Sequence, residues 1–187
     1  MSAKEQLIAP TIFVGSVVVG YKMYGKQSIN SIHLYAASMW FGLTTWTSCI
    51  AGFIMYRTLP LSQFAKLQQR MFPVYYAVIN GCTVLCLLSV FNSKYESQKK
   101  ILGSSLLCSL FHLSLISPRT NKYLDTYMTL RDKEGDDSES TDFKKAKKNF
   151  HIWHGISNLC NLYQYGCITV HMYWLSMNTR KGMKMDD

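Results

Sequence analysis

The sequence predicts an all-α integral membrane protein: a bundle of four transmembrane helices with an additional N-terminal apolar helix. Four apolar runs contain no charged residue, at about 33–56, 73–92, 101–117 and 152–177. Each is about as long as the roughly 17–25 residues that a helix needs to cross a bilayer. Hydrophobic residues form 48% of the 187-residue chain and charged residues only 17%, below the usual quarter for soluble domains. Too little polar chain remains to cover four such runs in water, so we expect helices in lipid.

The N-terminal segment 1–32 precedes these runs and is ambiguous. Its charge-free stretch 7–21 has Pro10 near its start and is followed by Lys22 and Lys26. The stretch is short for a span. A fifth span and an interfacial or re-entrant helix both fit it. A cleaved signal peptide is the third alternative; the apolar centre fits one, whereas Glu5 beside Lys4 in the leading end does not.

Small side chains recur along the first predicted span at spacings of four, three, four and three residues. Such spacing puts them on one face of a helix, where they let another helix backbone approach closely. The sequence therefore predicts a helix-packing seam formed by Ser38, Gly42, Thr45, Cys49 and Gly52.

The segments between the spans are unequal. We expect a compact polar turn at 57–72, a short basic hairpin at 94–100, a long polar loop at 118–151 and a polar tail at 178–187. The loop begins with apolar residues at helical spacing and continues as an acidic linker at 132–142. Four lysines follow next to the last span, where they are expected to meet anionic lipid headgroups: Lys144, Lys145, Lys147 and Lys148.

The fourth span carries a polar stripe. Polar side chains at membrane depth are costly and normally face the bundle interior or a wet cavity. Two interpretations therefore remain, interhelical hydrogen bonding and a polar lining for a pathway or a small-ligand site. The stripe consists of Ser157, Asn158, Asn161, Gln164 and His171.

All six cysteines lie inside the apolar runs, which argues against a secreted disulfide framework. Cys82 and Cys86 share one helix face by their spacing, as do Cys108 and His112. Thiolate and imidazole suit Cu(I) or Zn(II). These four residues are thus weak metal candidates, but no known metal-binding spacing is present, and we predict no metal and no other cofactor.

Three ordered segments carry a resemblance to a known family. They run over 33–75, 118–134 and 150–162, and include Arg57-Thr58-Leu59-Pro60, Pro118-Arg119-Thr120 and His154-Gly155-Ile156-Ser157-Asn158. This pattern resembles the transmembrane protein 205-like family. Leu61 stands where a basic residue is common, and the apolar N-terminal segment is additional. The resemblance implies a small multi-span helical protein of eukaryotic membranes without an agreed biochemical activity.

Alternating spans would bring the three segments to one membrane face. We expect a loop clasp there, with Glu134 paired to Arg57, Arg119 or Arg131 in a charge-assisted contact. Eleven of the twenty Lys and Arg residues lie on that face, which favours a cytosolic orientation weakly. The full clasp comprises Arg57, Gln68, Arg119, Arg131, Glu134 and His154.

No phosphate loop, GxSxG elbow or HExxH motif is present, so we expect no enzymatic activity. The net charge of +9 is spread over every loop, so we expect the lipid bilayer and membrane proteins as partners, and no nucleic acid. The function favoured is a non-enzymatic scaffold or adaptor of the endomembrane system. The alternative is a small-solute or metal-ion transporter, or a channel subunit, that uses the polar stripe.

Overall fold

The structure, a computed structural model, describes residues 28–91, 93–136 and 138–183, together with Gly15 and Val19. Every regular element in those ranges is helical, as the all-α class predicts. The predicted N-terminal apolar helix lies outside the described residues, apart from Gly15 and Val19, and its three alternatives therefore remain predictions.

The first helical segment is continuous but changes its winding. Helix α1 spans Ser28–Thr45, a π-helical turn follows at Trp46–Ala51, and α2 spans Gly52–Thr58. In the π turn the Gly52 N–H donates to the Thr47 carbonyl, a wider i→i+5 bond. A Cβ at position 52 would lie 3.3 Å from that carbonyl oxygen, which explains a glycine there. The segment ends at Leu59, which is extended before Pro60.

Helix α3 spans Leu61–Val90 and begins directly after Pro60. The segment 57–72, expected to be a compact polar turn, is therefore helical from Leu61 onward. Pro60 lacks a backbone N–H, which a helix start does not require. Pro73, which we expected at the start of the second span, lies inside this helix.

The third helical segment also extends beyond its predicted span. Helix α4 spans Glu96–Phe111, a π-helical turn covers His112–Ile116, and α5 spans Ser117–Glu134. Pro118 follows the π turn, where the regular α-helical hydrogen-bond pattern is already interrupted. The helix therefore continues through it and ends at Gly135, whose φ is 87°.

The segment predicted as the long polar loop 118–151 is mostly helical. Helix α5 covers its beginning, and α6 spans Thr141–Met183, so the acidic linker shrinks to 135–140. We call the end of the bundle with Leu59, Pro60 and residues 135–140 the motif-bearing end. The opposite end, with residues 91–95, is the hairpin end.

Among the described helices, Leu61–Val90 and Glu96–Glu134 are long and apolar enough to cross a bilayer. The second has 39 residues, which at 1.5 Å per residue is about 58 Å and exceeds a bilayer core of about 30 Å. Part of it therefore projects beyond such a core. The spans predicted at 33–56 and 152–177 do not meet the same measure of length and hydropathy, and the count of four stays a prediction.

Two apolar clusters hold the helices together. The larger lies between α1, α3, α4 and α6 and is centred on Trp40, Tyr76, Ile79, Leu102 and Ile168. The smaller joins the beginning of α3 to α5 and to the beginning of α6, at the motif-bearing end. Its buried members are Ala65, Leu124, Tyr127, Phe143 and Ala146. The projecting helices therefore form a packed helical extension on the main bundle.

The predicted helix-packing seam faces the wrong way for a contact within this chain. Ser38, Gly42 and Cys49 are exposed, and Thr45 and Gly52 are only half-buried. A Cβ at Gly42 would have no neighbour within 4 Å. The buried face of this segment instead consists of His33, Ala36, Ala37, Trp40, Thr44 and Thr47. The large side chain of Trp40 fills the interior at this face, and the polar side chains of the face can form hydrogen bonds. Two helix backbones therefore do not need to approach each other closely here.

Candidate functional site

A cavity of about 660 Å³ opens among the helices at the motif-bearing end. Its lining comes from the π turn at Trp46–Ala51, α2, the first part of α3, the π turn at His112–Ile116, α5 and α6. Residues of all three segments that carry the family resemblance contribute to it, including Arg57, Thr120 and His154. Its aromatic lining residues include Phe53, Tyr56, Phe64, Phe72 and Phe150. Its polar residues include Ser48, His112, Ser157, Asn158 and Asn161.

Asn161 ties α6 to two other helical segments at the deep end of the cavity. Its Oδ1 accepts a hydrogen bond from the Tyr75 hydroxyl at 2.9 Å, and its Nδ2 donates to Ser48 Oγ at 2.8 Å. The Tyr75 hydroxyl also lies 3.3 Å from the Thr44 hydroxyl. Both ends of the Asn161 amide are therefore satisfied across helix boundaries.

A second polar contact lies beside this one. The Nε2 of His112 is 2.7 Å from Ser157 Oγ, and the His112 ring stacks on Tyr76 with centroids 4.1 Å apart. His112 Nδ1 is buried without a hydrogen-bond partner among the described residues. His112 also lines the cavity.

Below Asn161 the polar stripe continues in a closed interior. Gln164 accepts from the Ser105 hydroxyl at 2.5 Å and donates to the Ser105 carbonyl at 2.6 Å. His171 contacts Gln98 and His33. Gln164 and His171 have no exposed surface. The stripe thus splits into a cavity-lining part, which includes exposed Asn158, and a buried part.

The predicted loop clasp does not form as one network. Among the described residues, Arg131 pairs with Asp136, whereas the Glu134 carboxylate accepts from the Ser138 and Ser140 hydroxyls, both at 2.5 Å. Gly135 turns the chain back at this point, so nearby loop residues reach these charges first. In the described part of the chain, Glu134 therefore does not pair with Arg57, Arg119 or Arg131 as expected.

The remaining clasp residues lie apart from Glu134. Arg57 lies over the Phe53 ring at 5.3 Å and Arg119 over the Trp153 ring at 5.0 Å, both cation–π geometries. Gln68 and His154 line the cavity. Arg57 also lines it, whereas Arg119, Arg131 and Glu134 do not.

Local hydrogen bonds shift the ionisation of the loop residues. The Ser138 and Ser140 hydroxyls lower the pKa of Glu134 because they bind its charged form. Hydrogen bonding between Arg131 and Asp136 raises the pKa of Arg131 and lowers that of Asp136. All three groups are thus held in their charged forms at neutral pH.

The four weak metal candidates from the sequence do not form one group of possible ligands among the described residues. Cys82, Cys86 and His112 are buried and Cys108 is half-buried. Cys86 lies with His33 and His171 instead, and the possible ligand atoms of these three are within 4.8 Å of one another. Sequence reasoning missed His33 and Gln98. The sequence does contain an indication of this group. Because successive helices run in opposite directions, positions 33, 86, 98 and 171 all fall towards the hairpin end.

Comparisons with known proteins agree with the resemblance. The family model of a domain of unknown function, DUF4149, matches residues 35–127. The chain is 23% identical over 175 residues to Transmembrane protein 205 of Danio rerio, which covers 80% of this chain and 93% of that protein. No solved structure matches the chain. Together with the two long apolar helices, these similarities support a membrane protein that is similar to the transmembrane protein 205-like family.

Proposed function

We propose that this protein is a four-span, multi-pass scaffold or adaptor of the endomembrane system, without enzymatic activity. Support for four spans comes from large apolar side chains on the outer surface of every helical segment. Ile54, Leu88, Leu107 and Leu162 are between 56% and 70% exposed. Exposure of large apolar side chains on every helical segment is expected for a bundle that lies in lipid.

One observation carries the scaffold proposal: the polar stripe is occupied by hydrogen bonds between helices. Ser157, Asn161, Gln164 and His171 each contact a side chain of another helical segment. Below the cavity, buried Gln164 is bound twice to Ser105, so its polar atoms are used in a contact between helices. Such contacts stabilise helix association in lipid by about 0.6 kcal/mol on average.

The helical extension supplies a surface for partner membrane proteins. Lys144, Lys145, Lys147 and Lys148 are exposed on the first turns of α6, whereas Phe143 and Ala146 face the smaller core cluster. This one-sided arrangement presents positive charge next to the proposed membrane surface. Anionic lipid headgroups or an acidic segment of a partner would complement it.

Purification from the native membrane tests this role. We expect a defined set of co-purifying proteins, and loss of that set when Lys144→Ala and Lys148→Ala are combined. The matched control is Lys94→Ala with Lys100→Ala, which makes the same charge change at the hairpin end. Identical protein sets for both variants, or none for the unmodified protein, would contradict the proposal.

A transporter or channel subunit is the second candidate, because the cavity reaches from His154 to Asn161. A transport cycle would also need a second conformation that opens this cavity towards the hairpin end. Reconstituted protein would then move a small solute or metal ion across liposomes, and Gln164→Leu would abolish that flux without loss of the folded protein. Flux that is the same in empty and protein-containing liposomes would exclude this alternative.

A further inference from the structure

Three buried side chains from three different helices converge near the hairpin end. His33 of α1, Cys86 of α3 and His171 of α6 have their possible ligand atoms within 4.8 Å of one another. Their exposed fractions are 5%, 0% and 0%. The two imidazole Nε2 atoms lie 3.0 Å apart, and the Cys86 thiol is 3.8 Å from the His33 carbonyl.

Contacts of the other ring nitrogens favour one tautomer for each imidazole. The Nδ1 of His171 lies 2.8 Å from Gln98 Oε1, an oxygen without a proton, so this Nδ1 carries the hydrogen. The Ser89 hydroxyl donates its single proton to the Cys86 carbonyl at 2.7 Å. In that arrangement His33 Nδ1, which contacts the same hydroxyl, donates to it.

Both Nε2 atoms then present lone pairs to each other across 3.0 Å. Two facing lone pairs repel, and a cation between or beside them removes the conflict. Among the described residues neither imidazole is in an ion pair with a carboxylate. The cation is thus either a proton shared by the two rings or a metal ion that also takes the neighbouring sulfur.

We propose that His33, Cys86 and His171 form a binding site for Cu(I). One thiolate and two imidazoles are a soft donor set suited to this ion. Binding breaks the Cys86 S–H bond, forms a Cu–S bond and releases the proton to solvent, with no change of oxidation state. The loaded site is then neutral, because one thiolate balances one monovalent ion. Zn(II) would leave a net charge of +1, which is costly in a buried site without a carboxylate.

The surroundings fit a metal site that is supported by neighbouring groups. Gln98 and Ser89 orient the imidazoles through Nδ1, as carbonyl and hydroxyl groups commonly do for metal-binding histidines. Trp174 stacks on His171 with ring centroids 5.5 Å apart, which restricts ring rotation. The site is separate from the cavity, whose lining includes none of these residues.

Titration of the full-length protein with Cu(I) tests the proposal. The protein is held in detergent without oxygen, and a colorimetric Cu(I) chelator competes for the metal. We expect one tightly bound Cu(I) per chain, with sulfur and nitrogen neighbours in X-ray absorption spectra. Cys86→Ser and His171→Gln should each lose this binding, whereas Cys82→Ser, also a buried thiol of α3, should retain it.

Gln98→Ala separates metal positioning from simple folding. We expect unchanged stoichiometry with Cu(I) affinity lower by about 10–100-fold. Zn(II) should bind at least about tenfold more weakly than Cu(I), a difference of about 1.4 kcal/mol. Absence of bound Cu(I), or binding lost in Cys82→Ser but not in Cys86→Ser, would overturn the site and favour a shared proton. Tighter binding of Zn(II) would overturn the charge argument.

Discussion

The polar stripe of α6 has different surroundings at the two ends of the bundle. At the motif-bearing end, Asn158 and Asn161 face a cavity of about 660 Å³. About one helical turn farther along α6, Gln164 is fully buried and bound twice to Ser105. Near the hairpin end, His171 is also fully buried and meets a second histidine. Polar residues on one face of α6 therefore lie in three different environments. Their spacing in the sequence does not distinguish these environments.

The difference follows from how the helices extend. At the motif-bearing end, α3, α5 and α6 continue beyond the main core and form their own smaller cluster. The first helical segment ends at Thr58 and does not continue with them. Because the first helical segment is shorter than its neighbours, space remains beside its π turn at Trp46–Ala51. At the hairpin end, the helices of the main cluster pack together.

Truncation of an interior isoleucine should have the largest effect on this comparison. Ile79 has no exposed surface, while Ile54, near the cavity, is 56% exposed. We expect Ile79→Ala to lower the free energy of unfolding by about 2–5 kcal/mol, because it leaves a cavity in the core. Ile54→Ala should change it by no more than about 0.5 kcal/mol. Chemical denaturation in detergent measures both, and equal losses would contradict a packed interior at Ile79.

Replacement of stripe residues should separate the buried part from the cavity part. Gln164→Leu leaves the buried Ser105 hydroxyl without its acceptor, at a cost of about 1–3 kcal/mol. Asn158→Leu makes the same kind of change on an exposed cavity residue and should cost at most about 0.5 kcal/mol. Addition of Ser105→Ala to Gln164→Leu should recover part of the loss, since no polar side chain then remains unpaired. A double variant less stable than Gln164→Leu would argue against this pairing.

Enlargement of small residues on the first helix should show which of its faces is packed. Ala37 has no exposed surface, so Ala37→Leu overpacks the core and should cost about 1–3 kcal/mol. A Cβ added at Gly42 would meet only open space, so Gly42→Leu should cost much less in the isolated chain. Thermal unfolding of the two variants measures this. A larger loss for Gly42→Leu would restore the seam predicted from sequence.

The membrane class and the helical content were predictable because they depend on composition and on long charge-free runs. The helix boundaries were not. Pro73 and Pro118 stood at predicted span boundaries and Pro60 in a predicted turn, yet of these three only Pro60 separates two helices. Pro118 follows a π turn, and a π turn has no clear signature in a single sequence. The predicted loops 57–72 and 118–151 consequently turned out to be largely helical.

The candidate site was predictable only in part. The stripe residues were identified from their spacing, but the side chains that they contact lie 45 to 138 positions away along the chain. Glu134 illustrates the limit. Its charge suggested an arginine partner, whereas Gly135 reverses the chain and brings Ser138 and Ser140 to the carboxylate. Which local group reaches a charge first depends on backbone geometry that charge patterns do not contain.

The smallest expected effect concerns the exposed ion pair in the helical extension. Arg131 lowers the pKa of Asp136, so the pair stabilises the folded protein at pH values above the ordinary carboxyl pKa of about 3.9. As pH falls through the lowered pKa, Asp136 takes up a proton and this contribution is lost. We expect Asp136→Asn to be slightly less stable than the unmodified protein at pH 7. The two should become equal in strong acid, and also in about 1 M salt, where the screening length is about 3 Å.

Asp132→Asn is the matched control, because it makes the same charge change next to Arg131 without removing a described ion pair. It should show a weaker dependence on pH and salt than Asp136→Asn. Thermal unfolding at several pH and salt values provides the comparison. If the two variants respond alike, the general field of the acidic segment outweighs the specific pair. The apolar cluster around Tyr127 and Phe143 would then contribute more to the helical extension than the Arg131–Asp136 pair does.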